Sequence, residues 1–350
     1  MEEFHSKLTQ FEIQTGTVTA RCPSNIALIK YWGKRGNQIP MNPSLSLTLT
    51  NSYTTTELKF RPKESKDFQL KVYFEGDLKP SFVPRIYTFF ERIETFLPFL
   101  RNFEFEVHTS NTFPHSSGIA SSASGMGALA LCLVQMEQDF GVDFTEGEKL
   151  RKASFLARLG SGSACRSIYP GVTVWGESAS VKGSSDYYAI PYPYEIHPDF
   201  RNFRDTILLI DEGQKEVSSS AGHQLMENHP YAPQRFVSAQ ENLKKIIPVL
   251  KEGDLNEFGT IVEHEALSLH AMMMTSRPAY VLMLPHTLNV IQKLWAFRKD
   301  TSTNLFFTLD AGANVHLLYP EKEQERCMEF IRKELKIHAA NKKIIEDFSF

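Results

Sequence analysis

Hydrophobic residues recur along this chain with two periods, and the period predicts which segments are strands and which are helices. In the first half, strand-like stretches alternate apolar with polar residues or are rich in β-branched and aromatic side chains. The predicted strands are residues 11–20, 53–60, 68–74, 103–109 and 171–175. Apolar residues spaced three or four apart predict helices at residues 80–97, 118–140 and 145–159. Thr145 and Glu148 fit a capping box at the start of the third helix.

The second half repeats this mixture after a polar stretch that is rich in tyrosine and proline. That stretch, residues 184–198, is the predicted boundary between a domain at 1–195 and a domain at 196–350. Strands are predicted at residues 205–211, 304–309, 314–319 and 343–348, and helices at 233–251, 256–273, 279–298 and 322–335. Pro248 and Pro285 are expected to end or kink the first and third of these helices. Because strands and helices mix without strict βαβ repetition, we expect two α+β domains.

Composition and charge narrow the classes of function. The 350 residues are 42% hydrophobic and 23% charged, and the formal net charge of −3 gives no signal for nucleic acid or an anionic membrane as partner. The N-terminus shows no leader pattern. The least polar stretch, residues 118–136, contains three serines and three glycines and is a poor membrane span. The four cysteines are far apart, which predicts free thiols in a reducing compartment and a cytoplasmic protein.

Two lysines interrupt a segment, residues 25–34, that is otherwise apolar enough for the core. Lys30 lies within the apolar run, and Lys34 follows Gly33 at a predicted turn. Burying an ammonium group without an anion costs several kcal/mol, so these lysines indicate a polyanionic ligand such as a phosphate ester. The alternative is a pair of surface lysines whose stems cover apolar surface. The segment alone does not decide between the two.

A loop rich in glycine and serine, residues 113–125, runs into the predicted helix that follows it. Small residues let a ligand approach the backbone, and amides at a helix N-terminus favour an anion. The candidate phosphate-binding residues are Ser116, Gly118, Ser121, Ser122 and Ser124. The alternative is a serine-rich cap before a tightly packed helix. No Walker P-loop pattern is present, and a GxGxxA match at 125–130 lies inside the helix, so a dinucleotide-binding fold is not favoured.

Two more polar segments are candidate ligand contacts. Arg166 follows a glycine and serine turn at residues 160–165 and would direct a planar cation at a carboxylate or phosphate. It could equally be a loop arginine after a helix C-cap. The hydroxyl cluster at residues 217–220 is either a helix cap or a ligand contact.

Asp310 is the remaining candidate for chemistry. It ends an apolar strand, where it either reaches a site or only shapes the following turn. His264 and His270 are six residues apart, which does not suit a metal site on one helix face, and we expect them to be packing or surface residues. The charged segment 61–67 is either a mobile lid or a hairpin tip, and we favour the tip.

In order and spacing, these segments resemble one family. The runs NIALIKYWGKR, PMNPSLSLTL, SSGIASSASG, GSGSACRS, VSSSAG and TLDAGAN are similar to the signature segments of mevalonate diphosphate decarboxylases across nearly the whole chain. GIASS alone would indicate only the wider GHMP kinase superfamily. The resemblance implies an α+β, two-domain GHMP-kinase-like fold. Its N-terminal domain would be ribosomal-protein-S5-like and its C-terminal domain ferredoxin-like, with the active site between them and a homodimeric assembly.

The resemblance also implies a reaction. ATP would phosphorylate the tertiary C3 hydroxyl of mevalonate 5-diphosphate, and loss of phosphate and CO2 would give isopentenyl diphosphate. Asp310 matches the catalytic aspartate, Arg166 the arginine that orients the substrate, and Lys30 the lysine beside them. The two cations would keep the carboxylate ionised and offset the charge that develops during phosphoryl transfer. ATP with Mg²⁺ suffices as cofactor, and no protein ligand of the metal is identified.

The other matches concern the phosphate groups. The substrate diphosphate is matched by Tyr31, Lys34, Ser161, Ser163 and Ser219, and the serines at 116–124 would contact ATP, with Ser122 near the transferred group. Departures from the family pattern occur at residues 115–117, Pro43, Ser220 and Ala313. They leave the substituent at C5 open. The alternatives are therefore a mevalonate 5-phosphate decarboxylase or a related mevalonate-type kinase that does not decarboxylate.

Overall fold

The chain forms two α+β units, one built on a large mixed sheet and the other on a four-stranded antiparallel sheet. The computed structural model describes residues 1–8, 11–65, 67–114, 119–211, 213 and 219–349, except the side chains of residues 219 and 220. The first unit contains β1 (Gly16–Ile29), β2 (Lys34–Arg35), β3 (Ile39–Pro40), β4 (Ser44–Pro62), β5 (Gln69–Phe74), β6 (Asp77–Leu78), β7 (Phe103–Asn111), β8 (Val172–Trp175) and β9 (Ile190–Pro191). The second contains β10 (Phe203–Leu208), β11 (Phe306–Thr308), β12 (Val315–Tyr319) and β13 (Ile344–Ser349), in the order β11-β12-β10-β13.

Helices cover these sheets. Those of the first unit are α1 (Val83–Ile93), α2 (Ser121–Asp139) and α3 (Glu146–Gly160), and those of the second are α4 (Ser219–Gln224), α5 (Ala232–Glu252), α6 (Leu255–Met274), α7 (Pro285–Thr301) and α8 (Gln324–Phe330). The predicted capping box is confirmed. The Thr145 hydroxyl accepts the Glu148 N–H at 3.2 Å, and the Glu148 carboxylate accepts the Thr145 N–H at 2.9 Å. Two sheets, each covered by helices, give the two-unit α+β architecture that the sequence predicts.

The first strand changes its burial halfway along. The N-terminal half of β1 alternates between exposed and buried positions, whereas Ser24 to Ile29 are all buried. The reason is that α2 packs on this strand within the first unit, while α5 and α6 reach its end from the second unit. The strand predicted at 11–20 was placed too early, because the C-terminal half of β1 is buried on both faces and shows no alternation.

The long strand β4 was only partly predicted. Its first residues alternate leucine with serine and threonine, and the polar ones are buried. The Ser46 hydroxyl lies 2.9 Å from the Thr173 hydroxyl, and Ser44 donates to the Trp175 carbonyl at 3.2 Å. These cross-strand hydrogen bonds remove the cost of burying hydroxyl groups. Because these residues are polar, the sequence pattern did not reveal the first half of β4. The strand pairs with β1, β7 and β8.

Two prolines and one loop differ from expectation. Pro248 lies inside α5 and does not end it, and Pro285 starts α7 in the first turn, where its missing N–H costs nothing. The predicted start of that helix at residue 279 is therefore wrong. The hairpin tip expected at 61–67 is also wrong, because β4 and β5 lie on opposite sides of β7, one antiparallel and one parallel to it.

One hydrophobic cluster joins the two sheets. Leu28 and Leu47 of the first unit pack with Phe203 and Phe258 of the second. All four cysteines are free, as predicted, and the structure shows that all four are buried. Within the described ranges, no helix is both long and apolar enough to cross a bilayer. The boundary between residues 195 and 196 stays a prediction.

Candidate active site

The ends of two distant strands bring a lysine and an aspartate together. Lys30 follows β1, and Asp310 lies in the connection between β11 and β12. The Lys30 ammonium donates a hydrogen bond to Asp310 Oδ1 at 3.1 Å. The lysine side chain is 1% exposed and the aspartate side chain is 29% exposed, so the carboxylate is the accessible end of the pair. Burial lowers the pKa of Lys30, and the charges of Asp310 and Glu265 offset part of this shift.

Neighbouring groups hold the Asp310 connection in place. His270, buried on α6, places Nε2 3.1 Å from the Asp310 carbonyl. Thr287 on α7 donates to the Ala313 carbonyl at 2.7 Å. The histidine that we expected to be a packing residue therefore also fixes the main chain that carries Asp310.

Arg166 is a buried cation close to this pair. It lies in the 3-10 helix Gly162–Ile168 and is 3% exposed. Its Nη1 donates to Ser44 Oγ at 2.6 Å and its Nε donates to Asn25 Oδ1 at 3.3 Å. Burial lowers the pKa of Arg166, and Asp310 is near enough to raise it in part. Among the described residues, no carboxylate forms a salt bridge with Arg166, so this cation can accept an anionic ligand.

A glycine turn positions Tyr31 beside Arg166. Gly33 has φ 94, and the turn lets its N–H donate to His223 Nδ1 at 2.9 Å. The His223 ring packs on Tyr31 and Trp32, with ring centroids 4.3 and 4.5 Å apart. Burial, then Lys34 and Arg166, lower the pKa of His223 to about 3. A neutral imidazole therefore joins α4 to the turn that carries the two candidate phosphate contacts.

Lys34 belongs to a cluster of three cations with Arg85 and Arg92. Burial lowers the pKa of Lys34 most, followed by Arg92 and Arg85. Its ammonium donates to Gln38 Oε1 at 3.1 Å, and Arg92 donates to the Leu159 carbonyl at 2.9 Å. No salt bridge within the described part of the chain neutralises these three groups. Like charges held together without a carboxylate create a positive potential that favours an anion.

Four of the predicted serines lie near this region. The hydroxyls of Ser122 and Ser161 are 3.4 Å apart and link the start of α2 to the end of α3. Ser121 begins α2, and Ser163 lies in the first turn of the 3-10 helix with its carbonyl accepting from Asn25 at 3.3 Å. All four are partly exposed. The structure thus brings hydroxyl groups from two separate segments of the sequence close together.

The remaining serine predictions have different outcomes. Ser124 is fully buried, and its hydroxyl lies 2.6 Å from the Thr54 hydroxyl. Its side chain therefore braces α2 against β4 and is not available to a phosphate, which corrects its place among the ATP contacts. Ser116 and Gly118 lie outside the described residues. Ser219 begins α4, and its side chain also lies outside what is described.

Sequence reasoning missed several groups around the site. Arg85 and Arg92 are seven residues apart on α1, and this spacing of two turns on one face could have revealed them. Glu265 sits in an otherwise apolar stripe of α6, where a charged residue indicates a buried partner. His223 had no local signal, because its partner Gly33 is 190 residues away. No group of three or more potential metal-ligating side chains occurs in the described ranges.

Solved structures with the same architecture identify the class of fold. Mevalonate diphosphate decarboxylase from Staphylococcus aureus superposes with a TM-score of 0.82 at 28% identity, over 96% of each chain. A second structure, MDDEF in complex with MVAPP, AMPPCP and magnesium, superposes with a TM-score of 0.81 at 29% identity, over 96% of this chain and 97% of the other. The two units thus form the GHMP-kinase-like fold predicted from the sequence.

Sequence comparisons then give the family. Residues 22–189 match the diphosphomevalonate decarboxylase-like N-terminal domain, and residues 206–349 match the mevalonate 5-diphosphate decarboxylase C-terminal domain. Diphosphomevalonate decarboxylase from Rattus norvegicus is 31% identical over 319 residues, which cover 85% of this chain and 75% of that protein. The chain belongs to the mevalonate diphosphate decarboxylase family.

Proposed function

We propose that this protein decarboxylates mevalonate 5-diphosphate to isopentenyl diphosphate at the expense of ATP. The observation that carries this proposal is the contact of 3.1 Å between Lys30 and Asp310 beside the buried Arg166. Phosphoryl transfer from ATP to the hydroxyl uses a carboxylate to accept the proton and cations to offset the developing charge. Both kinds of group are present here. Family membership supports the same reaction, since the related structure MDDEF binds MVAPP, AMPPCP and magnesium.

The residues fit a ligand with several phosphate groups. The Tyr31 hydroxyl is buried and has no partner among the described residues. A Cβ placed on Gly162 would lie 2.8 Å from this hydroxyl, so glycine keeps the space beside it open. The cations Lys34, Arg85 and Arg92 together suit the charge of a diphosphate better than that of a monophosphate. We therefore assign the diphosphate end of the substrate to Tyr31 and this cation cluster.

The nucleotide would be held by hydroxyl groups at the start of α2. Ser121 and Ser122 lie in its first turn, where main-chain amides favour phosphate. Bound ATP with Mg²⁺ supplies the phosphoryl group that converts the C3 hydroxyl into a leaving group. The metal needs no dedicated cluster of protein carboxylates, because Mg²⁺ commonly binds through phosphates and water.

The chain's own residues perform the remaining tasks. Asp310 accepts the C3 hydroxyl proton while Lys30, bound to Oδ1, keeps the carboxylate ionised and oriented. Its basicity is modest, so its position against the hydroxyl accounts for much of its effect. Arg166 binds the substrate carboxylate with its planar guanidinium. When phosphate leaves C3, the electron pair of the C–CO2 bond moves to that carbon, and CO2 and the alkene form.

The first experiment offers three substrates separately to the protein with ATP and Mg²⁺. ADP release is followed by a coupled assay, and CO2 is trapped from the same reaction. ADP and CO2 together from mevalonate 5-diphosphate alone are the expected result. The same products from mevalonate 5-phosphate would change the substrate but keep the mechanism, and ADP without CO2 from any of the three, mevalonate included, would make the protein a kinase.

We also propose that the protein is a cytoplasmic homodimer. The four free, buried cysteines support a reducing compartment. The family resemblance supports the dimer. Light scattering coupled to size-exclusion chromatography tests it, with a mass near 80 kDa expected from a chain of 39.9 kDa. A mass near that of one chain would contradict the dimer.

A further inference from the structure

A buried ion pair holds the main chain of Lys30. The Glu265 side chain on α6 is fully buried, and Arg235 on α5 is 5% exposed. Arg235 Nη2 and Nη1 donate to the two Glu265 oxygens at 2.6 and 3.2 Å. Glu265 Oε2 also accepts the Lys30 N–H at 2.8 Å, and Arg235 Nη2 donates to the Lys30 carbonyl at 3.4 Å. Both peptide groups of Lys30 are thus bound by one ion pair from the other unit.

Two amide side chains complete this arrangement. Asn242 on α5 donates to Glu265 Oε1 at 2.7 Å, and Asn42 donates to the Lys30 carbonyl at 2.9 Å. Each oxygen of the carboxylate and the carbonyl of Lys30 therefore has two donors. Removing two charges from water is costly, so the ion pair is weak evidence for stability, whereas its many hydrogen bonds fix its geometry.

We propose that the Glu265–Arg235 pair positions Lys30 for the decarboxylation. By fixing the Lys30 main chain from the second unit, the pair sets the ammonium against Asp310, which belongs to that same unit. Both members of the Lys30–Asp310 contact are then placed by residues of α6, since Glu265 accepts the Lys30 N–H and His270 lies 3.1 Å from the Asp310 carbonyl. This role rests on the proposed function of the Lys30–Asp310 contact.

The negative charge of Glu265 has a second consequence for Lys30. The charged groups that act on this ammonium are Asp310 and Glu265, which favour its protonated form, and Arg166, which opposes it. Asp205 on β10 also interacts with Lys30. Loss of the Glu265 charge should therefore lower the pH at which Lys30 loses its proton, while the other three groups stay in place.

The experiment removes the pair as a unit and compares it with a second glutamate–arginine pair whose glutamate also lies on α6. Glu265→Met/Arg235→Met replaces the ion pair by apolar side chains of similar size, which buried sites often tolerate. The control is Glu263→Met/Arg298→Met, whose members are joined at 2.6 and 3.0 Å. Neither control residue contacts Lys30 or Asp310 in any described interaction. Circular dichroism and thermal unfolding confirm that both variants are folded.

A positioning role predicts a split between kcat and KM. In the Glu265→Met/Arg235→Met variant, kcat should fall about 10- to 100-fold, because small displacements of a catalytic group have effects of this size. KM for the diphosphate and the Kd for ATP should change less than about threefold, and the control should change each constant less than about threefold. A folded Glu265→Met/Arg235→Met variant with kcat like that of the control would overturn the proposal.

A second measurement does not depend on activity. Lysine labelled with ¹³C at Cε reports the titration of Lys30 by NMR, and Lys30→Met identifies its signal. The titration midpoint should move to lower pH in Glu265→Gln and stay unchanged in Glu263→Gln. Equal midpoints in the two folded variants would contradict the electrostatic part of the proposal. If the wild-type protein released no CO2, the proposed function would fail, while a shifted midpoint would still show that Glu265 acts on Lys30.

Discussion

The Lys30 ammonium lies 3.1 Å from Asp310 Oδ1 although 280 residues separate the two in the chain. β1 of the first unit ends just before Lys30, and β11 of the second unit ends shortly before Asp310. The contact therefore exists only when the two units are packed together. A reaction that depends on this pair is coupled to the packing of β1 against α5 and α6.

Asp310→Asn tests the proton-accepting role of the carboxylate. The amide keeps the size of the side chain but cannot accept a proton, so kcat should fall by about 10²- to 10⁴-fold. The Kd for ATP, measured by isothermal titration calorimetry, should change little. Asp300→Asn, at an exposed position on α7, is the control and should keep normal turnover. Near-normal kcat in Asp310→Asn would show that another group accepts the proton.

Arg166→Lys tests the need for a planar guanidinium. Arginine bonds Ser44 and Asn25 through separate nitrogens and can still bind an anion, whereas a lysine ammonium cannot reach all three partners. Loss of one charged hydrogen bond costs about 1.5–3 kcal/mol, so kcat/KM for the diphosphate should fall about 10- to 100-fold. Steady-state kinetics and circular dichroism check the change. An unaltered kcat/KM would mean that positive charge alone suffices at this position.

Arg92→Gln tests the cation cluster at the diphosphate end. Removing one of the three cations should raise KM for mevalonate 5-diphosphate about tenfold and leave kcat nearly unchanged, because Arg92 is assigned to binding and not to chemistry. The difference from wild type should shrink as salt concentration rises. Arg101→Gln is the control, since Arg101 already pairs with Glu94. A change in kcat with constant KM would contradict the assignment.

His223→Asn tests a dependence of stability on pH. The pKa of His223 is lowered from 6.5 to about 3 in the folded protein, so the unfolded chain binds the extra proton as the pH falls below 6.5. The free energy of unfolding therefore decreases between pH 6.5 and about 3, by up to roughly 5 kcal/mol for this group. Asparagine can still accept the Gly33 N–H but does not titrate, so the variant should lose less stability over this range.

Urea unfolding at pH 7, 5.5 and 4 measures the effect of this substitution. His264→Asn, at an exposed position on α6, is the matched control. The difference in unfolding free energy between pH 7 and pH 4 should be smaller for His223→Asn than for wild type and the control. Equal differences in all three proteins would show that His223 does not titrate with folding.

Local patterns predicted many elements but failed where burial is unusual. The capping box at Thr145 was found because both partners are within one helical turn. The C-terminal half of β1 and the first half of β4 were not, because one is buried on both faces without alternation and the other buries serines in cross-strand hydrogen bonds. In both cases the neighbouring strands and helices decide which faces are covered, and a local period does not contain that information.

The sequence by itself determined the family and the chemical types of the site. The segments around Lys30, Arg166 and Asp310 lie within the ranges that match the two domain models of the family, residues 22–189 and 206–349. Tertiary structure alone decided that Lys30 meets Asp310, that His223 meets Gly33, and that Glu265 with Arg235 holds the Lys30 main chain. The physical reason is distance along the chain. Hydrogen bonds and ion pairs act over a few ångströms, and only the packing of two separately built units brings these groups within that range.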